Sequence, residues 1–279
     1  MRLCLPAPRP MSASVSRFAS DDSPSTGWFV FPAAVCALCA AVLAALGLNE
    51  TWFIAWNTAA SGIAPGFVWA GITNLASTLG AFALITPALA WRPRWLAATL
   101  LAAPVATLYT HGLKQFFAEP RPAAVLAQDQ FNVVGLPLRT DSFPSGHSLT
   151  AFVIAGVIVL CASPAVRRQW AWVVLAAAVL MCFSRVAVGA HWPLDLFAGA
   201  AGGWLSAVIG VRWSAHWRFW ERRRGVQTMG ALMILVAVLL AFEDLGYPEG
   251  LWMQYLLVVW GMAGAVFALV RPMTCKVPT

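Results

Sequence analysis

Charged side chains are scarce in this sequence: of its 279 residues, only 10% are Asp, Glu, Lys or Arg, whereas 60% are hydrophobic. A typical soluble domain carries about 25% charged residues and about 45–50% apolar ones. With a mean hydropathy of +0.74, a soluble fold of this chain would leave a large apolar surface in contact with water. The composition therefore excludes a soluble protein and predicts one that lies in a lipid bilayer.

Three further absences narrow the class of protein. Although the net charge is +7, the basic residues do not gather into one arm, so nothing indicates nucleic-acid binding. No set of His, Cys and carboxylate residues has the spacing of a metal site. No Gly-rich phosphate loop of the nucleotide-binding type is present either. We therefore expect no nucleic-acid partner, no metal and no cofactor.

Long apolar runs are abundant instead. A membrane-spanning helix needs about 20 apolar residues, and eight runs approach or exceed that length: 28–48, 66–91, 95–113, 148–165, 170–187, 193–213, 226–242 and 251–270. The segment 51–65 contains Asn57, Gly62 and Pro65 and is predicted to be an interfacial or re-entrant piece. The predicted fold class is all-α, a polytopic transmembrane bundle of about eight helices.

The distribution of Lys and Arg predicts which helix ends face the cytoplasm, because positive side chains favour the inner side of a membrane. If the N-terminus is cytoplasmic and the chain crosses eight times, most of the 18 basic residues lie inside. The outer side keeps four of them: Lys114, Arg121, Arg139 and Arg185. We expect a bacterial inner-membrane protein with both termini in the cytoplasm.

The first of three polar patterns lies where the third apolar run ends. Lys114 and Arg121 are separated by six residues, and Pro122 follows directly. An ammonium group and a planar guanidinium at this distance can converge on one anion such as a phosphate. The alternative is that both are long side chains that reach from a helix end towards water.

The second pattern is the sequence Pro144-Ser145-Gly146-His147, which leads into the fourth apolar run. A helix that begins here directs free backbone N–H groups and the positive end of its dipole outward, which suits an anion. The Ser145 hydroxyl adds a donor, and Gly146 lets a phosphate approach the backbone. His147 is then well placed to transfer a proton, unless it serves only in capping or packing.

The third pattern runs from Ser184-Arg185 to His191 and Asp195. Asp195 lies in the first turn of the sixth predicted helix, four residues beyond His191 and within reach of its ring. A carboxylate bonded to one imidazole nitrogen fixes the tautomer and leaves the other nitrogen free to attack. A purely structural His–Asp pair is the alternative.

Together, the patterns place two histidines, a carboxylate, three cations and a helix start on the predicted outer face. These groups suit phosphoryl transfer through a covalent phosphohistidine. In this order, KxxxxxxRP, PSGH and SRxxxxxHxxxD within residues 114–195 resemble, without substitution, the signature motifs of the type 2 phosphatidic acid phosphatase family. That family shares its site with bacterial acid phosphatases and vanadium haloperoxidases.

The resemblance implies a role for each matching residue. His191 would be the nucleophile that attacks phosphorus, and Asp195 would orient its ring. His147 would protonate the leaving group and later activate water. The phosphate-binding residues would be Lys114, Arg121, Ser145, Gly146 and Arg185. The supporting residues would be Pro122, Pro144 and Ser184.

The resemblance also implies a division of the chain. A six-helix phosphatase core would occupy about 28–213, after a Ser-, Pro- and Arg-rich segment, 1–27, that is predicted to be a disordered cytoplasmic tail. Residues 214–279 would form a basic cytoplasmic loop and a transmembrane hairpin that has no counterpart in the minimal core.

The expected function is hydrolysis of a lipid phosphate whose tail stays in the bilayer while its head reaches the outer interface. The family and the topology favour undecaprenyl pyrophosphate, converted to undecaprenyl phosphate. Phosphatidic acid, phosphatidylglycerol phosphate and lipid A phosphate remain open as substrates, as does transfer of the phosphate to a lipid or sugar. An anion-binding transporter or scaffold is the non-enzyme alternative, although no internal repeat supports it.

Overall fold

A computed structural model describes residues 26–271, so the predicted cytoplasmic tail lies outside the described residues apart from its last two. Over residues 26–271 the chain is all-helical and contains no strand. Its α-helices are α1 (Thr26–Leu46), α2 (Asn49–Ile63), α3 (Gly66–Leu75), α4 (Thr78–Ile85), α5 (Pro93–Phe117), α6 (Pro122–Val125), α7 (Gly146–Cys161), α8 (Pro164–Ala187), α9 (Pro193–His216), α10 (Arg223–Phe242) and α11 (Leu251–Val270). Short 3₁₀ turns lie at Thr86–Ala90, Phe219–Glu221 and Pro248–Gly250.

The helices are those of a multi-pass membrane protein, as the composition predicts. Among the described residues, six helices are long and apolar enough to cross a bilayer: α1, α5 with α6, α8, α9, α10 and α11. The fourth apolar run forms α7, which has only 16 residues. Every predicted run thus corresponds to a helix or a pair of helices, and the polytopic bundle is confirmed.

The run 66–91 departs from the prediction of one continuous span. It is broken between α3 and α4, where the chain bends by 71°. Ser77 causes the break, because its side chain caps a new helix by accepting a hydrogen bond from the Gly80 amide at 3.1 Å. Pro87 then lies in the 3₁₀ turn, where its missing N–H costs no helical hydrogen bond.

Close packing of α7 on α9 forms the centre of the bundle. A methyl group at Gly199 would lie 2.4 Å from the Ser145 carbonyl oxygen, and one at Gly203 would lie 2.2 Å from that of Leu149. Small residues four apart allow two membrane helices to approach in this way. The approach also brings the two helix starts together, and the Ser145 amide donates to the Asp195 carbonyl at 3.0 Å.

The C-terminal hairpin, α10 and α11, packs against the broken segment α3–α4 and is not separate from the rest of the bundle. Methyl groups at Gly261 and Gly264 of α11 would lie 3.0 Å and 2.7 Å from Ala83 and Pro87 side chains. The buried amide of Asn74 also donates to the Gly250 carbonyl at 3.0 Å. The hairpin therefore packs along the length of the second apolar run.

The segments that carry the three polar patterns meet at one end of the bundle. Trp192 Nε1 donates to the Pro120 carbonyl at 2.8 Å, and the Leu194 amide donates to Asn49 Oδ1 at 2.9 Å. The opposite end carries basic residues that precede or begin α5, α8 and α10: Arg92, Arg94, Arg168, Arg218, Arg222, Arg223 and Arg224. The polar patterns and these basic connections thus lie at opposite ends of the helices.

Candidate active site

Arg121 is held by three backbone carbonyls just beyond the end of α5. Its Nε donates to Thr140 at 2.6 Å, and its two terminal nitrogens donate to Ala190 at 3.0 Å and Asp141 at 3.2 Å. Lys114 Nζ donates to the same Asp141 carbonyl. Asp141 has a left-handed backbone conformation with φ of 56°, and its carbonyl oxygen accepts from both cations. The side chains of Lys114 and Arg121 thus meet at the Asp141 carbonyl.

His191 lies in the connection between α8 and α9, with a defined contact at each ring nitrogen. Nδ1 lies 3.2 Å from Asp195 Oδ2, and Nε2 lies 3.1 Å from Arg121 Nη1. A guanidinium group only donates hydrogen bonds. Nε2 must therefore be the acceptor, and the proton of a neutral ring lies on Nδ1, where it is donated to the carboxylate. The predicted His–Asp pair is thus formed, with Nε2 carrying the free electron pair.

Asp195 is buried in the first turn of α9 and has two donors in addition to His191. The Trp192 amide donates to Oδ2 at 3.0 Å, and Ser142 Oγ donates to the same oxygen at 2.5 Å. Charge-assisted hydrogen bonds of this kind hold a buried carboxylate in one orientation. None of the three sequence patterns includes Ser142, and its only local signal is a hydroxyl residue two positions before Pro144.

The second pattern forms the start of α7. Pro144 is buried and follows a cis peptide bond, and Ser145 is the helix cap whose Oγ accepts from the Ser148 amide at 3.4 Å. The Ser145 hydroxyl proton is left available for an external acceptor. A methyl group at Gly146 would meet only Thr110, at 3.7 Å, so the backbone here is open to a ligand.

His147 lies beside this helix start with a buried Nε2 atom. Within residues 26–271, Nε2 has no hydrogen-bond partner. A buried ring nitrogen without a partner in a native fold calls for an explanation. Proton exchange with a bound substrate is an explanation that agrees with the surroundings of His147, because Gly146 and the cations lie on the same side of the bundle.

Arg185 is placed by a directional chain of hydroxyl groups. Its Nη1 donates to Thr73 Oγ1 at 3.3 Å, and Thr73 lies 2.7 Å from Ser184 Oγ. Ser184 itself donates to the Met181 carbonyl at 2.6 Å, which leaves Thr73 as the donor to Ser184. Ser184 thus accepts a hydrogen bond from Thr73, which in turn accepts one from Arg185. No local sequence pattern indicates Thr73, which is 112 residues from Arg185.

The segment predicted to be interfacial is the helix α2, and Asn57 on it fixes two parts of the site. Its side-chain nitrogen donates to the carbonyls of Asn132 and Val186, each at 2.9 Å, and Oδ1 accepts from the Asn132 amide at 2.7 Å. These bonds join the 126–145 loop to the end of α8. Asn57 is fully buried, and through these bonds α2 fixes the position of the loop relative to the end of α8.

The electrostatic surroundings keep His191 neutral. Burial lowers the pKa of its imidazole well below the ordinary value of 6.5, and the nearby positive charges lower it further. These charges belong to Arg121, Arg185 and Lys114. At neutral pH the ring therefore has an unprotonated nitrogen, as a nucleophile requires.

An apolar cavity of about 260 Å³ extends from the site between α4, α5 and α7. Lys114 and Gly146 lie at its polar end, and Phe82, Val153 and Ile154 line its apolar part. The cavity thus connects a polar, positively charged end with a space suited to a hydrocarbon chain.

Arg139, the fourth basic residue predicted to lie on the outer side, has an exposed side chain. Its backbone carbonyl accepts a hydrogen bond from the Arg121 amide at 3.0 Å. In the part of the chain that is described, no group of three His, Cys, Asp or Glu side chains is arranged to hold a metal ion.

Fold and site together define a multi-pass helical membrane protein with a His–Asp pair and the side chains of Lys114, Arg121 and Arg185 at one end of the bundle. Residues 92–221 match the sequence family described as the PAP2 superfamily. The chain is also 30% identical to LpxE from Aquifex aeolicus, whose crystal structure it matches with a TM-score of 0.51 over 59% of this chain and 95% of that one. The chain belongs to the PAP2 superfamily.

Curated relatives match a shorter region. The undecaprenyl-diphosphatase of Sulfolobus acidocaldarius is 47% identical over 73 residues, which are 25% of this chain and 33% of that protein. The lipid A 1-phosphatase of Rhizobium etli is 40% identical over 74 residues, which are 25% of this chain and 29% of that protein. The chain thus matches about a third of the length of these relatives.

Proposed function

We propose that the protein is a membrane lipid phosphatase that works through a phosphohistidine intermediate. The observation that carries the proposal is the fixed orientation of His191. Asp195 binds one ring nitrogen, and the other faces the guanidinium of Arg121. A neutral nucleophile is therefore aimed at the place where cations would hold a phosphate.

In the first step, His191 Nε2 attacks phosphorus while the bond from phosphorus to the leaving oxygen breaks. Lys114, Arg121 and Arg185 stabilise the negative charge on the equatorial oxygens, in the manner of an oxyanion site. The imidazolium that forms is stabilised by the carboxylate of Asp195 through Nδ1–H. His147, which carries a proton once the phosphate anion is bound beside it, donates that proton to the leaving oxygen, so the lipid departs as an alcohol or as a shortened phosphate.

In the second step, water attacks the phosphorus of the phosphohistidine and the P–N bond breaks. His147, now neutral, takes the proton of the water, and His191 recovers its electron pair as inorganic phosphate leaves. Both histidines end in their starting protonation states, so the cycle balances. The three cations supply the charge stabilisation, and we expect turnover without a metal.

The cavity between α4, α5 and α7 supports a lipid as the substrate. Its polar end adjoins Lys114 and Gly146, and its apolar part lies at the depth of the membrane helices. A phosphate head at the site and a hydrocarbon tail in this cavity would match the two kinds of lining. A water-soluble phosphate ester would leave the apolar part unused.

We further propose that the site faces the periplasm of a bacterial inner membrane. The site lies at the end of the bundle opposite the basic connections, and basic connections favour the cytoplasm. On that side, the polyprenyl pyrophosphate released during envelope synthesis is the substrate that we favour. Similarity to an undecaprenyl-diphosphatase supports this choice, and similarity to a lipid A 1-phosphatase supports lipid A as the second candidate.

The test uses purified protein in mild detergent with EDTA. Phosphate release is measured in parallel from undecaprenyl pyrophosphate, phosphatidic acid, phosphatidylglycerol phosphate and lipid A. We expect the wild type to release phosphate and to prefer undecaprenyl pyrophosphate, and we expect His191→Ala to release none. His216→Ala is the matched control, because His216 is exposed at the far end of α9 and its loss should leave turnover unchanged.

Several outcomes would contradict parts of the proposal. Turnover by a folded His191→Ala variant would exclude His191 as the nucleophile, and loss of activity in EDTA would exclude a metal-independent reaction. A preference for lipid A would replace the favoured substrate. Absence of release from all four lipids would reject the phosphatase function itself.

A further inference from the structure

The connection between α10 and α11 reaches the site end of the bundle. The Leu136 amide donates to the Gly246 carbonyl at 2.9 Å, which joins this connection to the loop that carries Asp141. Gly135 and Gly246 have φ values of +76° and +77°, a conformation that glycine adopts without strain. A methyl group at Gly135 would lie 2.3 Å from the Gly246 carbonyl oxygen. The contact fixes the residue that follows, Tyr247.

Tyr247 is buried against the segment that leads to the nucleophile. Its exposed fraction is 4%, and it packs with Ala187, Val188 and Ala190. The guanidinium carbon of Arg185 lies 5.3 Å from the centre of its ring, within the range of a cation–π contact. The ring thus has two functions in packing, and neither involves the hydroxyl group.

The Tyr247 hydroxyl is buried and has no hydrogen-bond partner within residues 26–271. The same holds for Nε of Arg185. Buried tyrosine hydroxyl groups normally find a partner, and two unpaired donors, one of them on a guanidinium, are suited to an anionic acceptor.

We infer that the Tyr247 hydroxyl donates a hydrogen bond to an oxygen of the substrate phosphate, beside Arg185. This rests on the proposed function and adds a phosphate-binding residue to that site. It also gives the C-terminal hairpin a role, because the hairpin brings a phenol group to the phosphate. A hydroxyl is neutral, so it adds a donor without increasing the positive charge of the site.

Tyr247→Phe tests this inference, because it retains the ring and the cation–π contact and removes only the hydroxyl. We expect KM for the preferred lipid and the Kd for orthovanadate to rise roughly tenfold, as expected for the loss of one hydrogen bond to a charged acceptor. The melting temperature should stay unchanged. Tyr255→Phe is the matched control, since Tyr255 is 54% exposed on α11, and it should match the wild type in all three measurements.

A second variant distinguishes binding from packing. Tyr247→Leu removes the ring as well, so it should lower the melting temperature in addition to weakening vanadate binding. If Tyr247→Phe equals the wild type in KM and vanadate Kd, the hydroxyl does not bind phosphate and the inference is wrong. Calorimetric titration of each variant with orthovanadate gives the vanadate Kd directly. This measurement needs no lipid substrate, so it does not depend on turnover. A wild type without turnover would contradict the proposed function, whereas equal vanadate binding by Tyr247→Phe would contradict the inference alone.

Discussion

At the scale of single residues, the site depends on how Asp195 is held. Three donors converge on its Oδ2 atom: the His191 ring, the Trp192 amide and the Ser142 hydroxyl. A carboxylate that rotated would release the imidazole, and the nucleophile would lose both its tautomer and its aim. The orientation of His191 is therefore a property of a small network that extends into the loop before Pro144.

Ser142→Ala should lower kcat by about 10- to 100-fold, because it removes one charge-assisted hydrogen bond from the carboxylate that orients the nucleophile. KM should change little, since Ser142 has no direct role in holding phosphate. Ser142→Thr retains the hydroxyl and should recover much of the rate. The measurement is steady-state phosphate release in detergent.

Ser61→Ala is the matched control for that prediction. Ser61 makes a local hydrogen bond to the Thr58 carbonyl on the exposed side of α2, so its loss should leave kcat unchanged. Equal rates for Ser142→Ala and Ser61→Ala would show that the Trp192 amide and the helix start suffice to hold Asp195.

At the scale of helices, the contact of α7 with α9 brings His147 and Asp195 within one site. His147 belongs to the first turn of α7, and Asp195 to the first turn of α9. Glycines at positions 199 and 203 let the two backbones approach. The spacing of the helices thus sets the distance between His147, the proposed proton donor, and Asp195, the partner of the proposed nucleophile.

Gly203→Ala should destabilise the protein by about 1–3 kcal/mol, because its new methyl group meets backbone atoms and the helices must separate. Phosphate release should fall as well, since separation moves the start of α7 away from His191. The expected result is a lower melting temperature in detergent together with a lower kcat.

Gly112→Ala provides the comparison within the same fold. A methyl group at Gly112 would have no atom within 4 Å, and alanine favours a helix over glycine by up to about 1 kcal/mol. This variant should be as stable as the wild type or more so. If Gly203→Ala has the same melting temperature as Gly112→Ala, the close approach of α7 and α9 is not required for stability.

At the scale of the whole molecule, the two ends of the bundle differ in chemistry. One end carries His147, His191, Asp195 and the loop that includes Gln128, and the other carries the basic connections near Gln169. Positive residues favour the cytoplasmic side, so the arrangement supports the proposed orientation of the protein. Gln128 and Gln169 are both exposed and uncharged, and a cysteine at either leaves the charge distribution intact.

Cysteine labelling tests this orientation. A membrane-impermeant maleimide should label Gln128→Cys in cells whose inner membrane is intact, and Gln169→Cys only after that membrane is permeabilised. The chain has six native cysteines, so the wild type must be labelled in parallel as the background. The reverse pattern would place the site in the cytoplasm and remove the argument for a periplasmic substrate.

The composition and three short motifs predict the membrane class, the helical fold and the central residues of the site, because these features are local. Long apolar runs must form helices in lipid, where every backbone polar group needs an internal partner. His191 and Asp195 lie one helical turn apart, so their contact follows from the sequence alone. The broken second span was not foreseen, because a single capping hydrogen bond of Ser77 decides it within an otherwise apolar run.

Only the tertiary structure reveals the groups that support these residues from a distance. Thr73, Asn57 and Tyr247 reach the site from three separate elements, and no periodicity or spacing relates them to Arg185 or His191. Their positions depend on which helices pack together, and packing among apolar helices is set by the fit of small residues, which a hydrophobic pattern does not encode. The sequence alone predicts the side chains proposed for the reaction. The packing of the helices sets which neighbours orient them and which hydroxyl groups lie beside the proposed phosphate site.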